Sequence, residues 1–320
     1  MEITPVSRSL DEIFRSSFIK IPRFQRPYSW DRENISDFWN DLVSRADDEY
    51  FMGSTVLFRD GKEKNLFSVV DGQQRLTTIT IALSLIRNAL DEAGEPDLAD
   101  GIQSLLERSD IDNKLRYVIE HEPKNKFYQN AIQKRRPDPK ADANSNEEQA
   151  LRAALTSIRT SLAADLEKVD DTVSRLRTLR NRLLSLRFIS IQLDDEDDAY
   201  MIFETLNTRG KDLRVSDLLK NHFTRLIKTK SKSHDVAKEK WQEVMTKLES
   251  VSPLIDPDTF FSHYWLAQED YVSKANLFKS MRKVITASSA ASRLDDIVYS
   301  SSIYTQAVAP SSYSLSLIHI

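Results

Sequence analysis

The most constraining stretch of this chain is a strand–turn–helix junction at residues 66–90. Leu66–Val70 (LFSVV) is a short run rich in aromatic and β-branched residues, and Asp71-Gly72 is a turn dipeptide. Beyond it Leu76, Ile79, Leu83, Ile86 and Leu90 follow one another at intervals of 3, 4, 3 and 4. Strand chemistry passing within two residues into a helical period predicts a long helix launched from the end of a sheet. Upstream, Tyr50–Phe58 (YFMGSTVLF) reads as a second strand, and the turn-like residues 59–65 join the two as a hairpin.

The rest of the chain extends this mixed pattern. Asn34–Asp47 puts Ile35, Phe38, Trp39 and Leu42 on one helical face. Leu115–Glu120 (LRYVIE) is a strand candidate, and a helix is expected near Phe127–Gln133. Lys134–Glu148 (KRRPDPKADANSNEE) has the composition of loop or disorder. Two helices near Glu147–Lys168 and Thr172–Leu186 precede an alternating strand, Arg187–Leu193. The acidic loop Asp194–Asp198 then opens another helix. From Ser216 onward the signals are helical: Ser216–Lys230, Val236–Ser250, Pro257–Gln268 and Lys274–Ala287. The expected fold class is α+β to about residue 225, followed by an all-helical domain over 226–314. The end, LSLIHI at 315–320, resembles one reading frame of a sequencing-library adapter, so these residues are expected to be a non-native tail on a truncated chain.

Composition excludes several classes of chemistry. The 320 residues contain no cysteine, which removes disulfides, thiolate zinc sites and thiol nucleophiles together. The six glycines have neither P-loop nor dinucleotide-fold spacing. The five histidines form no HExxH or HxH cluster. With 45 basic against 49 acidic residues, the net charge of −4 does not point to general polyanion binding, although a local basic face remains open. No apolar run reaches the ~18 residues of a membrane span, and the start lacks the pattern of a secretion signal. A cytoplasmic protein without membrane contact is expected.

Three segments combine charged, amide and aromatic residues beyond what a core needs. Ile21–Trp30 (IPRFQRPYSW) sets Arg23, Gln25 and Arg26 between prolines and aromatics. Arginine supplies a planar donor fork suited to phosphate. Tyr28 and Trp30 either stack on a base or simply pack. In Asp71–Arg75 (DGQQR), Gly72 permits a tight turn, the free N–H groups of the next helix attract an anion, and Arg75 can add a bidentate contact. The plainer alternative is that Asp71 caps the helix while the glutamines face solvent. In Phe203–Gly210 (FETLNTRG), Glu204 and Asn207 share a helical face and can hold Mg²⁺ together with phosphate oxygens. Here the alternative is a helix closed by Gly210, with Ser216 as the next N-cap. The basic residues Lys220, Arg225, Lys228, Lys230 and Lys232, or Arg175, Arg177, Arg180 and Arg182, form either a nucleic-acid face or solvated helix surface.

Taken in order, IPRFQRPYSW, FMGSTVL, VVDGQQRLTT and FETLNTRGKDLRVSDLLKN resemble the N-terminal domain family of GmrSD-type restriction proteins over roughly residues 8–225. They also resemble the front domain of phosphorothioate-sensing phage-defence proteins. The resemblance implies a ParB/sulfiredoxin-like core with helical insertions. It further implies a nucleoside-triphosphate-hydrolysing module that controls an HNH-type nuclease acting on phage DNA with modified bases or backbone. Carried onto this sequence, it makes Asp71, Gly72, Gln73, Gln74 and Arg75 the central nucleotide site, with Arg23, Gln25, Arg26 and Tyr28 handling nucleotide or sensing DNA. Glu204 and Asn207 become candidates for a Mg²⁺-bound phosphate site, and Arg209 a weaker phosphate contact. In the expected mechanism Arg75 and Arg23 or Arg26 stabilise charge on the transferring phosphoryl group, and Gln73 or Gln74 orients the attacking water. A homo-oligomer is expected. No HNH pattern occurs in residues 226–320, so DNA cleavage is assigned to a domain or subunit absent from this chain. Two other readings stay open: a non-hydrolysing DNA-binding or regulatory module, and a scaffold active only in complex.

Overall fold

The computed structural model describes residues 5–23, 25–44, 50–61, 63–194, 214–227, 235–251 and 255–308. The chain forms two compact units, Met1–Leu206 and Asn207–Ile320. The first is α+β and the second is helical in all its described elements, as the sequence patterns indicate. Residues 195–213, with Glu204, Asn207 and Arg209, lie outside the described residues, as does the tail at 315–320.

The first unit is built on a six-stranded mixed sheet. Its strands are β1 (Val6–Ser9), β2 (Phe18–Ile21), β3 (Phe51–Arg59), β4 (Leu66–Asp71), β7 (Ile119–His121) and β8 (Arg187–Leu193). Their spatial order is β1-β8-β3-β4-β2-β7. The expected hairpin is present as the antiparallel pair β3–β4, while β3 runs parallel to β8 and β4 parallel to β2. Between the pairs Leu57↔Val69 and Val56↔Asp71, β4 carries Val70 as an extra residue, which is a β-bulge. Helices α1 (Leu10–Ser16), α2 (Arg32–Ser44), α3 (Gln73–Glu92), α4 (Pro96–Leu106), α5 (Asn146–Leu166) and α6 (Thr172–Ser185) share one large core with residues of the sheet. Helix α3 is its centre: Leu76, Ile79, Leu83, Ile86 and Leu90 are all fully buried.

Several elements depart from the sequence reading, each for an identifiable physical reason. The expected strand 115–120 divides in two. Leu115–Tyr117 (β6) pairs with Glu107–Ser109 (β5), whereas Ile119–His121 joins the main sheet beside β2. Residues β1, α1 and β2 are too short to show a period, and α1 is defined by a capping box between Ser9 and Glu12. Helix α4 begins on Pro96, the residue best suited to a first helical position. The expected helix near 127–133 is a π-helix, Tyr128–Gln133. Its last carbonyls are held by the fully buried Arg87 of α3, which donates to Ile132 O at 3.1 Å and Gln133 O at 3.0 Å.

The second unit contains α7 (Val215–Leu226), α8 (Val236–Glu249), α9 (Pro257–Leu266), α10 (Lys274–Val284) and α11 (Ala290–Val308). An aromatic core ties them, with Trp241 stacked on Phe261 at 5.3 Å and Phe223 beside Trp241. Ser216 is not the N-cap of α7. The helix starts one residue earlier, and the buried carboxylate of Asp258 accepts the N–H groups of Val215 and Ser216 at 3.0 and 2.9 Å. A carboxylate from a neighbouring helix thus does the capping that a local hydroxyl was expected to do.

Candidate nucleotide site

At the end of β4 the backbone turns through Gly72, with φ +100°, directly into α3. The left-handed conformation already favours glycine. Space does too, because a Cβ here would lie 2.9 Å from Thr55 Cγ2 of β3. Asp71 does not cap the helix, and no side chain does. Its Oδ2 instead accepts from Ser54 Oγ at 3.2 Å and from Arg75 Nη2 at 3.0 Å. Arg75 also donates Nη1 to Met52 O at 3.1 Å. That bond needs Gly53 (φ +112°), since a Cβ at residue 53 would fall 1.9 Å from Arg75 Nη1.

The two motif loops interlock through amides. Gln73 Nε2 donates to Arg26 O at 2.8 Å. Gln74 is used at both ends: Nε2 donates to Pro27 O, and Oε1 accepts from Ser29 N. From the other loop, Gln25 Nε2 reaches Val69 O and Val70 O, the carbonyls at the β4 bulge, at 3.2 and 2.9 Å. The glutamines are therefore buried rather than solvated, and the loop at 22–30 is pinned above the Gly72 turn. Arg26 stays exposed and makes no ion pair among the described residues, whereas Arg23 is half-buried.

Of the two alternatives open for Tyr28, stacking on a base or packing, the structure shows packing. The ring is in the core, 4% exposed, and its hydroxyl bonds Thr78 Oγ1 at 2.8 Å. Burial pushes this phenol up to about 12, so it remains protonated. Trp30 packs beside Phe38. Below the loop, Tyr28 N donates to Glu147 Oε1 at 3.2 Å, and that oxygen lies 3.8 Å from His121 Nδ1. Desolvation pushes His121 down to about 4. The folded state thus binds this proton less readily than the unfolded chain. Stability should fall as pH drops from about 6.5 towards 4, by about 3 kcal/mol in total. Denaturant midpoints recorded between pH 7 and 4 are expected to flatten over that window in His121→Gln.

The structure thus brings Gln25, Arg26, Asp71, Gly72, Gln73, Gln74 and Arg75 together through direct contacts. It adds Gly53, Ser54, Thr78, His121 and Glu147, which the motif reading did not assign. Gly53, a lone glycine inside a strand pattern, was the one legible signal among them. Among the described residues no group of three or more His, Asp or Glu side chains could hold a metal, and no helix is long and apolar enough to cross a membrane. No curated protein matches the chain. The family model for the GmrSD restriction endonuclease N-terminal domain matches residues 8–224. With the match covering more than half of the sequence, and both interlocked loops inside it, the chain belongs to the GmrSD restriction endonuclease N-terminal domain family.

Proposed function

We propose that this chain is the nucleoside-triphosphate-hydrolysing module of a modification-dependent restriction system. On this reading its core is ParB/sulfiredoxin-like, and it controls a DNA nuclease carried on another domain or subunit. The observation that carries the reading is the Gly72 turn. A glycine in the left-handed conformation, packed closely against Thr55, precedes a 20-residue helix whose first N–H groups have no side-chain cap. That is the arrangement that receives phosphate oxygens. Beside it, Thr55 keeps its hydroxyl buried and without a partner among the described residues.

The residues take separate roles in this proposal. Arg26, exposed on a loop whose own carbonyl is pinned by Gln73, supplies fixed positive charge to the transferring phosphoryl group. Gln73 keeps its Oε1 without a bond to any described residue and is the better candidate to orient water. Gln74, engaged at both ends, positions the loop. Arg75 acts through Asp71 and Met52. Mg²⁺ bound with a triphosphate needs only one or two protein carboxylates. Asp71 fits as one, because among the described residues both of its bonds fall on Oδ2 and none on Oδ1. Glu204 and Asn207 remain the proposed further ligands, with Arg209 as an outer phosphate contact. The ion would neutralise phosphate charge.

The test is phosphate release by the purified chain with each nucleoside triphosphate and Mg²⁺, alongside Arg75→Ala. Turnover by the parent chain and a fall of at least ~100-fold in the variant are expected, because Arg75 holds Asp71 in place and misplacing a group at a reacting site costs ~10²-fold. Background release from both proteins would favour the second reading, a non-hydrolysing regulatory module. One observation already leans that way: Gln74 and Arg75 are spent on protein backbone.

A further inference from the structure

The two units differ in charge. Residues 1–206 carry 29 basic and 37 acidic side chains, while residues 207–320 carry 16 basic and 12 acidic. Within the second unit the cations of α8 are largely neutralised. Lys240 pairs with Asp295, and Lys247 pairs with Glu243 and bonds Ser302. Helix α10 differs. Its sequence, KANLFKSMRKV, has four basic residues and no acidic one.

Lys279 and Lys283 of α10 are exposed and form no ion pair among the described residues. They stand at i and i+4, an arrangement of like charges that costs an isolated helix ~0.2–0.5 kcal/mol. Lys274 stands in the first turn, against the helix dipole, 64% exposed and 4.0 Å from the nearest carboxylates. The surface continues onto α7. His222 bonds Ile285 O, just past the end of α10, and packs edge-on against Phe278, while Arg225 Nη2 lies 3.5 Å from His222 Nδ1. Leu277, Phe278 and Met281, the apolar face of α10, are buried in the unit, so the helix has no apolar side to lay into a bilayer.

We propose that α10, with the adjoining end of α7, is a binding face for the phosphate backbone of duplex DNA. Lysines are point charges without a fork for one fixed acceptor, which suits a repeating line of phosphates. From Lys274 to Lys283 the helix spans ~14 Å. A duplex presents about eight phosphate charges over that length. The proposal deepens the restriction-system reading by assigning the surface that meets DNA.

The experiment is fluorescence anisotropy with a labelled 20-base-pair duplex and the full chain over a KCl series, without nucleotide. Lys279→Ala/Lys283→Ala is compared with the parent. The parent is expected to bind with a steep salt slope. The variant should show a slope shallower by about 1.8, with affinity at 0.1 M salt reduced by about fifty-fold. An unchanged thermal midpoint would establish that the variant is folded. Equal affinity and slope in the two proteins would overturn the proposal, as would no salt-sensitive binding by the parent. Because no nucleotide is present, the outcome stays separate from the test of hydrolysis. Binding of the parent to vesicles or acidic peptides but not to DNA would equally count against it.

Discussion

Replacing Arg87 with alanine is expected to destabilise the first unit by about 3–5 kcal/mol, the largest single effect in the chain. The side chain is fully buried, and burial holds its guanidinium down to about 10, still charged at neutral pH. It donates to the two terminal carbonyls of the π-helix, to Gln103 Oε1 and to Asn88 Oδ1. A carbonyl left buried without a donor costs about 1–3 kcal/mol. Ile132 O loses its donor outright, Gln133 O keeps only Gln103 Nε2 at 3.1 Å, and a side-chain-sized void adds to the total. The loss should also reach the candidate site. Gln133, at the end of the π-helix, donates to Ile119 O of β7, the strand that ends at His121 below the pinned loop. Urea unfolding of Arg87→Ala and of Arg87→Met separates the two contributions. Methionine fills much of the space but restores no donor, so it should recover the smaller part. A loss below 1 kcal/mol in Arg87→Ala would mean that water satisfies those carbonyls.

The second large effect is expected from Gly53→Ala, a change of one methyl group on a strand. The added Cβ would overlap Arg75 Nη1, and the backbone at φ +112° disfavours any L side chain. Arg75 must swing away and give up both Met52 O and Asp71. Turnover is expected to fall by at least 100-fold, close to that of Arg75→Ala, with the fold retained. The decisive comparison is a double-mutant cycle. In an Arg75→Ala background the clash is gone, so Gly53→Ala should have little further effect on turnover. Independent, additive losses would mean that Gly53 acts through the strand itself.

Much of the scaffold was legible because its signals are local. The 3-4-3-4 spacing marks α3, runs of β-branched and aromatic residues mark β3 and β4, and alternation marks β8. What escaped were features that depend on distant residues. The break of 115–120 into two strands needs two different partners, β5 and β2, neither visible in the six letters. The capping of α7 by Asp258 spans more than 40 residues. At the site, the DGQQR and IPRFQRPYSW segments were recognisable as segments, but their mutual use was not. A glutamine that holds the backbone of another loop has the same letter as one that faces solvent. Tyr28 was ambiguous for the same reason, because its hydroxyl partner Thr78 lies 50 residues away.

The extra residue at Val70 sets a condition on any attempt to transplant this turn. A side chain one position along a strand faces the opposite side of the sheet. Were β4 to pair regularly with β3 with all its residues kept, Val70 would stand opposite Val56 and Asp71 opposite Thr55, on the other face, away from Ser54 and Arg75. Five letters pasted after an ordinary hairpin would therefore arrive upside down. The portable unit is the turn together with its bulge and the Gln25 amide that braces it. A hunter for relatives or a protein engineer should count the strand's residues before trusting the motif.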